Sequence, residues 1–478
     1  MRDKNTFYVT TAIDYVNSEP HVGHAYQKII ADALARWNKL LGKDVYFITG
    51  TDEHGKKIAQ TAEQQGKKPK DFVDEYSEKF KQAWKSLNIK YDCFIRTTDS
   101  DHKKVVKEFT NKINESEDIY KGIYEGFYCV PCETFYTETE APDLICSIHK
   151  KALEKLKEET YFFRLSKYQS FLLEYYQKNQ EFILPKEKRM EIINRVKEGL
   201  KDLSITRSSI SWGIPFLLDK KHVFYVWYEA LINYYAATRK KGKEKFWPAD
   251  LHILGKDNTW FHVVIWPAML KSANLPITKS VFSHGFLTFN GQKISKTLGN
   301  VISPNVLVEK YGADAVRYFC LRHFPFGQDG DFSENALIER HNNELANKLG
   351  NLVVRISTLA EKYGLKKTTL LSSKEIFKKA QQHLENLEFD KALNEIFFFV
   401  DQTNEYIQNK KPWETHDPEI IYQAVNAIKD IAILLSPFIP ETAEKIAKTF
   451  NFEISLRSLE IPLKLSKIKK SEILFKKI

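Results

Sequence analysis

A strand, a helix and a second strand follow one another at the start of the chain, and this pattern constrains the fold more than any other feature. The segment 6–12, TFYVTTA, is short and rich in β-branched and aromatic residues, which is typical of a strand. Between residues 25 and 41 the apolar residues recur with the helical period of roughly 3.6, and Gly42 ends this pattern. The stretch DVYFI then predicts a second strand. Together they form a βαβ unit, so we expect a parallel sheet of the kind that binds nucleotides.

Two histidines, His21 and His24, lie in the stretch EPHVGHAYQ, between the first strand and the helix. The amino end of a helix in such a sheet favours anionic ligands, because its free N–H groups and its dipole attract negative charge. A phosphate contact is therefore one interpretation of the pair. A metal site on one helix face and a pair of ordinary surface histidines are the alternatives that the stretch itself leaves open.

A second element able to handle phosphate is needed, because the chain contains neither GxGxxG nor GxxxxGK[ST]. The stretch NGQKISKTLGN, residues 290–300, is the candidate. Its lysines Lys293 and Lys296, with the hydroxyls of Ser295 and Thr297, could hold a triphosphate and neutralise the charge that develops as pyrophosphate leaves. An ordinary solvated loop is the alternative for this stretch taken alone.

Three cysteines and a histidine form two close pairs, Cys129-x2-Cys132 and Cys146-x2-His149, separated by a 13-residue spacer. This spacing suits a tetrahedral Zn²⁺ site with three thiolates and one imidazole. With all four positions filled, such a site should be structural. An iron–sulfur cluster is the less favoured alternative.

Length and composition indicate a folded protein of several domains. The chain has 478 residues, 43 % of them hydrophobic and 13 % aromatic, so we expect about two to four domains. Neither an apolar run of about 18 residues nor a signal peptide is found, which predicts a cytoplasmic protein. The two remaining cysteines, Cys93 and Cys320, are expected in the core.

The net charge of +10 is compatible with a polyanionic partner. Half of this excess lies in residues 461–478, which hold six lysines and one glutamate. Contact with nucleic acid phosphates and a solvated chain end are both compatible with this basic tail.

The stretch PHVGH, followed about 270 residues later by KISKT, resembles the HIGH and KMSKS signatures of class I aminoacyl-tRNA synthetases. The resemblance is most detailed to the methionyl-tRNA synthetase family, in its bacterial form, and extends over nearly the whole chain. The matching stretches are TTAIDYVNSEPHVGH, FITGTDEHG, DIYKGIYEGFYCVPCE, VWYEALINYY, LGKDN, FHVVIWPAML, KISKTLGNVISP, YGADAVRYF, LANKLGNLVVR and NKKPWE.

This resemblance implies an ATP site. The two histidines would contact ATP and stabilise the transition state as the amino acid carboxylate attacks the α-phosphate, and Gly23 would let the nucleotide lie close to the backbone. Lys296 would be the main phosphate ligand, assisted by Lys293. The ATP-site residues implied in this way are His21, Gly23, His24, Asp257, Lys293 and Lys296, with Mg²⁺ accompanying the nucleotide.

The resemblance also implies a methionine site. Asp52 matches the acidic residue that holds the substrate ammonium. A thioether offers polarisability and shape rather than strong hydrogen bonds, so aromatic and apolar walls suit it. The matching wall positions are Ala12, Ile13, Tyr15, Trp227, Ala230, Leu231, Tyr234 and His262. Arg207 resembles an arginine near the active site of the family, and Asn258 departs from the aliphatic residue common in bacterial members.

Asn351, Arg355 and Trp413 match the family positions that bind the CAU anticodon. Unstacked bases are read by hydrogen bonds and aromatic stacking, which these residue types provide. Asn351 and Arg355 lie four residues apart and could instead be surface polar residues of one helix face, and Trp413 could belong to a core.

These observations predict an α/β fold: a Rossmann-like parallel-sheet catalytic domain with a zinc-binding insertion, followed by an all-α anticodon-binding domain. The expected segments are 1–115 and 213–300 for the catalytic domain, 116–212 for the insertion, 301–340 for a linking segment and 341–478 for the helical domain. The expected partners are ATP, L-methionine and both initiator and elongator tRNA(Met), with no membrane and no obligate protein partner. A monomer without the appended tRNA-binding domain of longer relatives is expected.

Other classes fit less well. A small nucleotidyltransferase lacks a helical domain of this size, and synthetases for leucine, isoleucine or valine carry a much larger editing insertion. A cysteinyl enzyme spaces its zinc ligands differently, and an RNA-binding protein without catalytic activity does not need both signatures.

Overall fold

A computed structural model of the chain describes residues 5–130, 134–136, 141, 143–146, 150–289, 291–293, 302–459, 461–465 and 468–478. The chain divides into two compact units. The first unit comprises Met1–Pro20, Val45–Gln82 and Tyr91–His284, and the second comprises His21–Asp44, Ala83–Lys90 and Gly285–Ile478.

The strands of the described residues, in chain order, are β1 (Thr6–Thr11), β2 (Asp14–Tyr15), β3 (Asp44–Asp52), β4 (Cys93–Arg96), β5 (Ile119–Cys129), β6 (Thr134–Tyr136), β7 (Glu154–Phe163), β8 (Ile183–Leu184), β9 (Leu203–Ser204), β10 (Thr206–Arg207), β11 (Val223–Phe224), β12 (Leu251–Gly255), β13 (Ser280–His284), β14 (Leu287–Phe289), β15 (Gln292–Lys293) and β16 (Gly330–Phe332).

The helices of the described residues are α1 (Val22–Leu40), α2 (Lys56–Gln64), α3 (Pro69–Ser86), α4 (Ser100–Glu115), α5 (Gln169–Lys178), α6 (Lys186–Lys197), α7 (Val226–Leu231), α8 (Asn233–Thr238), α9 (Trp266–Ser272), α10 (Pro304–Tyr311), α11 (Ala313–Arg322), α12 (Glu334–Arg340), α13 (Asn351–Tyr363), α14 (Lys374–Glu385), α15 (Phe389–Lys410), α16 (Pro412–Thr415), α17 (Pro418–Leu435) and α18 (Pro440–Phe450). Short π-helical segments, Phe261–Ile265 and His341–Gly350, precede α9 and α13.

The central sheet of the first unit has the strand order β2-β3-β1-β12-β13-β8, with β4 pairing with β3. The pairs β1 with β12, β12 with β13, β13 with β8, β2 with β3 and β3 with β4 are parallel. Residues 45–52 of β3 and all of β12 are buried, as expected for strands covered on both faces. The predicted parallel α/β architecture is therefore confirmed.

The first strand and helix follow their predicted positions closely. The strand occupies Thr6–Thr11 and the helix begins at Val22, three residues before the apolar period becomes regular. The helix ends at Leu40, and Gly42 adopts a φ of +82°, a left-handed conformation that suits glycine. The earlier start comes from capping by the histidine pair described below.

A separate four-stranded antiparallel sheet, with the order β6-β5-β7-β9, lies between α4 and the second half of the central sheet in the sequence. Strands β5 and β7 pair along ten residues each, from Ile119 opposite Phe163 to Tyr128 opposite Glu154. A small cluster of buried residues, which includes Cys129 and Cys146, lies at the end of this sheet. This segment carries the cysteine–histidine motif.

The carboxyl-terminal part of the second unit is helical, which confirms the predicted all-α region. Helix α17 is buried on nearly all sides between Ile421 and Leu435 and packs against α13, α15 and α18. A helix that is apolar around its circumference is typical of the centre of a bundle.

The described part of the basic tail is packed rather than extended into solvent. The backbone N–H of Ser471 donates to Oγ of Ser357 at 2.9 Å, and the side chain of Asn342 exchanges two hydrogen bonds with the backbone of Ile478. The side chains of Lys470 and Lys476 are exposed.

Among the residues that the structure describes, none of the helices combines the length and the apolar character that crossing a bilayer requires.

Candidate functional site

The two histidines cap the amino end of α1. Nδ1 of His21 accepts the backbone N–H of Gly23 at 3.1 Å, and Nδ1 of His24 accepts the backbone N–H of His21 at 3.3 Å. Their rings stack with centroids 3.7 Å apart. This reciprocal pattern is a capping box built from imidazoles.

The capping geometry fixes which nitrogen of each ring carries a proton. Because Nδ1 of both His21 and His24 accepts from a backbone N–H, the proton of each neutral ring must be on Nε2. Burial lowers the pKa of His24 well below its usual value, and nearby His21 and Lys28 lower it further. A neutral His24 therefore retains an Nε2–H that can donate to an anion.

Glycine at position 23 leaves room for the ring of His21. A Cβ atom at Gly23 would lie 3.0 Å from two atoms of that ring, which is too close for an undisturbed cap. The described first turn of α1 also contains no acidic side chain, so nothing within it offsets the positive end of the helix dipole.

The KISKT stretch begins at a small hairpin. Lys293 pairs with Thr288 in the antiparallel strands β14 and β15, and Gly291 occupies the turn with a φ of +74°. The N–H of Gly291 donates to Oδ1 of Asp331 at 2.7 Å. Lys296, with Ser295 and Thr297, lies outside the described residues.

Asp52 lies at the carboxyl end of β3 in the first unit, where it is 5 % exposed. It is paired with Tyr15 in the short parallel ladder between β2 and β3. Ala12 lies three residues before Tyr15, and its N–H donates to the carbonyl of Ile253 at 3.1 Å. Ala12, Ile13 and Tyr15 are half-buried and pack on the core of this unit.

Tyr234 and His262 form a buried hydrogen-bonded chain. The hydroxyl of Tyr234 lies 2.7 Å from Nε2 of His262, and Nδ1 of His262 lies 2.9 Å from the carbonyl oxygen of Asn258. A carbonyl only accepts, so Nδ1 carries the proton and Nε2 accepts from the Tyr234 hydroxyl. Burial lowers the pKa of His262 to about 4, which keeps the ring neutral. Because Asn258 takes part through its backbone, its side chain does not affect this hydrogen bond.

The Asp52 carboxylate and the Tyr234 phenol act on one another. Burial raises the pKa of Tyr234, and the negative charges of Asp52 and Asp14 raise it further. Asp52 at the end of β3 and Tyr234 on α8 are therefore close enough for the charge of one to affect the other. Asp14, 6 % exposed, is a second buried carboxylate that sequence reasoning did not select.

Helix α7 contributes the apolar side of this region. The ring of Trp227 stacks on Phe261 with centroids 4.1 Å apart and planes inclined by 12°. Ala230 and Leu231 are buried on the same helix. Phe261 was missed by sequence reasoning, although its position beside His262 was an available signal.

His252 supports the Tyr234 ring from the sheet and was also missed. Its two ring nitrogens lie 2.6 Å from Oγ1 of Thr10 and 2.8 Å from Oγ1 of Thr278, and its ring lies 4.2 Å from that of Tyr234. Burial lowers the pKa of His252 well below its usual value. The ring of His252 is therefore neutral, has a hydrogen-bond partner at both nitrogens, and packs against the ring of Tyr234.

Asp257 and Arg207 lie in different elements from the residues of the predicted pocket. Asp257 is exposed, in a turn of 3₁₀ helix that follows β12. Arg207 is 2 % exposed, donates to Oγ of Ser204 and the carbonyl of Thr206, and lies 4.2 Å from the ring centre of Tyr225.

Two of the four motif residues are described. Cys129 ends β5 and pairs with Thr134 of β6. The N–H of Cys146 donates to the carbonyl of Lys151 at 2.8 Å. Cys132 and His149 themselves lie outside the described residues.

The donors that the structure does describe fit a zinc site. Cys129 and Cys146 are 1 % and 0 % exposed and belong to one small cluster, so two soft sulfur ligands lie together away from solvent. Clustered cysteine thiolates are the soft donors that a structural zinc site uses.

One other group of ligand-type side chains occurs among the described residues: Glu159, Asp219 and His222. Nζ of Lys121 lies 2.6 Å from Glu159 and 3.7 Å from Asp219. The ammonium group of Lys121 therefore already pairs with the two carboxylates of this group.

In the helical region, Arg355 is held between an amide and an aromatic ring. Its Nη2 donates to Oδ1 of Asn404 at 3.0 Å, and its guanidinium carbon lies 5.7 Å from the ring centre of Trp413. The amide of Asn404 is itself oriented, because its Nδ2 donates to the carbonyl of Val400 at 3.1 Å. Trp413 is half-buried and Asn351, one turn before Arg355, is exposed. Sequence reasoning missed Asn404, which no spacing pattern links to Arg355.

The chain matches two known protein families. The family described as tRNA synthetases class I (M) matches residues 7–142 and 138–357, and the family described as anticodon-binding domain of tRNA ligase matches residues 366–477. The two matches together span almost the whole chain.

Curated relatives include the methionine–tRNA ligase of Thermotoga maritima, 46 % identical, with 94 % of this chain and 75 % of the relative covered. The methionine–tRNA ligase of a Nostoc species is 42 % identical, with 95 % of this chain and 91 % of the relative covered. A structure of Mycobacterium tuberculosis methionyl-tRNA synthetase in complex with methionyl-adenylate has a TM-score of 0.94 and 36 % identity, covering 98 % of this chain and 99 % of that chain. The chain therefore belongs to the methionine–tRNA ligase family of class I tRNA synthetases.

Proposed function

We propose that this chain is a methionine–tRNA ligase. It activates L-methionine with ATP to methionyl-adenylate and pyrophosphate, and then transfers the methionyl group to the 3′ end of initiator and elongator tRNA(Met). The observation that carries this proposal is similarity to methionine–tRNA ligases over 94 % of the chain at 46 % identity. The closely superposable structure that holds methionyl-adenylate supports the first step.

Asp52 binds the α-ammonium of methionine in this proposal. A buried carboxylate is stabilised when it pairs with a cation, and an ammonium with three donors suits it. Tyr15 lies opposite Asp52 in the ladder, and Ala12 and Ile13 lead into that ladder.

The thioether is received by Tyr234, His262, Trp227, Ala230 and Leu231. The Tyr234 hydroxyl donates to His262, and His262 is neutral, so this part of the pocket presents no full charge. A charged side chain would lose its hydration without gaining a partner there, so lysine, arginine and glutamate are disfavoured. Methionine is the uncharged, polarisable side chain that suits such a wall.

The phosphates of ATP are bound by His21 and His24, with Gly23 maintaining the cap and Lys293, Lys296 and Asp257 assisting. The Nε2–H groups of the two rings donate to phosphate oxygens, adding to the positive end of α1. As the carboxylate oxygen of methionine forms its bond to the α-phosphorus, the bond to pyrophosphate breaks and its electrons leave with pyrophosphate. Donors fixed in advance stabilise that charge, and Mg²⁺ accompanies the nucleotide.

Cys129, Cys132, Cys146 and His149 hold one structural Zn²⁺. When bound, the metal supplies folding free energy to the segment that carries these residues. The burial of Cys129 and Cys146 in one cluster supports this assignment.

Asn351, Arg355 and Trp413 read the anticodon. The exposed amide of Asn351 can hydrogen bond to a base edge, and the half-buried ring of Trp413 offers a face for stacking. We expect the reaction to take place in the cytoplasm, where tRNA is charged for translation.

Transfer to tRNA is tested by charging transcripts with labelled methionine. Transcripts of initiator and elongator tRNA(Met) with the CAU anticodon should be charged, and the same transcripts with one anticodon base changed should be charged far less. Equal charging of CAU and altered transcripts would contradict the anticodon assignment. No charging of either would contradict the function.

A further inference from the structure

A buried carboxylate between two histidines lies beside the proposed methionine site. Glu229 is 0 % exposed, and its two carboxylate oxygens lie 2.7 Å from Nδ1 of His54 and 2.8 Å from Nε2 of His102. His54 and His102 are 2 % and 1 % exposed. We call these three residues the Glu229 network. Neither the activation step nor the binding roles described above use it.

Hydrogen-bond chemistry fixes the direction of both contacts. Burial would raise the pKa of Glu229, but His54 and His102 outweigh this effect and hold the pKa below its usual value. An ionised carboxylate only accepts, so Nδ1 of His54 and Nε2 of His102 both donate. Within the described residues, Nδ1 of His102 has no hydrogen-bond partner, which agrees with its proton being on Nε2.

The network joins two segments that each carry residues of the proposed pocket. His54 follows Asp52 by two residues, at the end of β3. Glu229 is in α7, between Trp227 and Ala230. The distance between the Asp52 segment and α7 is thus set by a charged hydrogen bond of 2.7 Å. Such bonds are shorter and more directional than neutral ones.

Glu53, the residue between Asp52 and His54, is also held by hydrogen bonds. Both carboxylate oxygens of Glu53 accept from Arg96, at 2.7 and 2.9 Å. The indole of Trp212 donates to the backbone carbonyl of Glu53 at 2.7 Å. With Glu53 fixed by Arg96 and His54 fixed by Glu229, the main chain at Asp52 has little freedom to move.

We propose that the Glu229 network is a positioning device for amino acid recognition, which sets the place of the Asp52 carboxylate relative to the apolar wall on α7. This inference rests on the proposed function. Glu229, His54 and His102 are positioning residues: they act through Asp52 and α7 and do not touch the substrate. A displacement of the supporting residues by a fraction of an ångström is enough to weaken a preorganised site.

The test compares Glu229→Gln with Asp118→Asn in ATP–pyrophosphate exchange. Asp118 is a matched control, a buried carboxylate of the same unit that accepts from Lys167, Tyr168 and Ser272 rather than from pocket segments. The amide of Glu229→Gln places a donor against one histidine donor. We expect KM for methionine to rise about tenfold or more, with KM for ATP within about twofold, because a misplaced binding group weakens binding of that substrate alone. Asp118→Asn should leave KM for methionine unchanged, even if its melting temperature falls.

A second pair of variants decides the matter if Glu229→Gln does not fold. In His54→Asn the amide nitrogen takes the place of Nδ1 and keeps the donor, whereas His54→Leu removes it. His54→Asn should restore a KM for methionine close to wild type, and His54→Leu should not.

The outcomes distinguish a failure of this inference from a failure of the proposed function on which it rests. If the wild-type protein exchanges with methionine but none of the network variants changes KM for methionine, the network only stabilises the fold and the inference is wrong. If the wild-type protein shows no methionine-dependent ATP–pyrophosphate exchange, the proposed function is wrong, and so is the inference that rests on it.

Discussion

At His262, a single backbone contact determines the chemistry of a proposed substrate pocket. The carbonyl of Asn258 fixes the proton on Nδ1, and this leaves Nε2 to accept from Tyr234. The two side chains lie 28 residues apart in the sequence, and both were selected from the sequence comparison. Their mutual hydrogen bond and its direction required the structure.

The depressed pKa of His262 predicts a pH dependence of stability. In the folded state this pKa is about 4, whereas an unfolded histidine titrates near its ordinary value of about 6.5. Between these values the unfolded state binds more protons, so this contribution to the free energy of unfolding is complete above pH ~6.5 and is lost as the pH falls towards ~4.

Replacing His262 with glutamine removes this titration but keeps a donor and an acceptor. Urea unfolding at pH ~6.5, ~5.5 and ~5 should therefore show a shallower loss of stability for His262→Gln, by up to ~1.4 kcal/mol per pH unit. Parallel stability curves for the two proteins would show that His262 is not the buried neutral histidine described above.

At the scale of the element, the cysteine–histidine segment between β5 and β7 is expected to depend on metal. Cys146→Ser removes one of the proposed soft ligands, and the binding free energy of a structural zinc is folding free energy. The variant should lose the one equivalent of zinc that elemental analysis finds in the wild-type protein, and protease should cut it within residues 129–151.

Cys93→Ser is the control for this prediction, because Cys93 is buried but lies in β4 of the central sheet. It should retain one zinc. Full zinc content in Cys146→Ser, or iron in the wild-type protein, would contradict the zinc assignment.

The short helix α16 is expected to act on tRNA alone. Base–aromatic stacking contributes roughly 1–3 kcal/mol, so Trp413→Ala should lower the efficiency of tRNA charging by about 5- to 150-fold. Methionine-dependent ATP–pyrophosphate exchange without tRNA should be unchanged. Phe398→Ala provides an exposed aromatic control, 52 % exposed on α15, and should alter neither activity.

A different result would reassign Trp413. If charging and exchange fall together in Trp413→Ala and the melting temperature drops, the ring supports the helical core. Recognition of the anticodon would then rest on Asn351 and Arg355.

For the whole molecule, the sequence predicted what depends on local patterns. The first strand and helix, the parallel sheet and the all-helical region follow from periodicity and turn residues in short windows. The histidine pair was placed correctly at the amino end of α1, because capping is also a local property.

Long-range contacts could not be predicted in the same way. Glu229 meets His54 and His102 across 175 and 127 residues, and Arg355 meets Asn404 across 49. Nothing near these residues in the sequence indicates their partners, since the pairing depends on how the strands are ordered in the sheet and how the helices pack. His252 was missed for the same reason, because in the sequence it is an ordinary member of a buried strand.

Methionine activation is the central claim for the molecule, and one measurement tests it most directly. ATP–pyrophosphate exchange should be measured with each of the twenty amino acids in the absence of tRNA. Exchange should depend on methionine, with leucine and isoleucine far weaker and with charged amino acids inactive, because the proposed pocket offers Asp52 to the ammonium and an uncharged wall to the side chain. Exchange with another amino acid at a rate equal to or above that with methionine, or no exchange with any, would contradict the account.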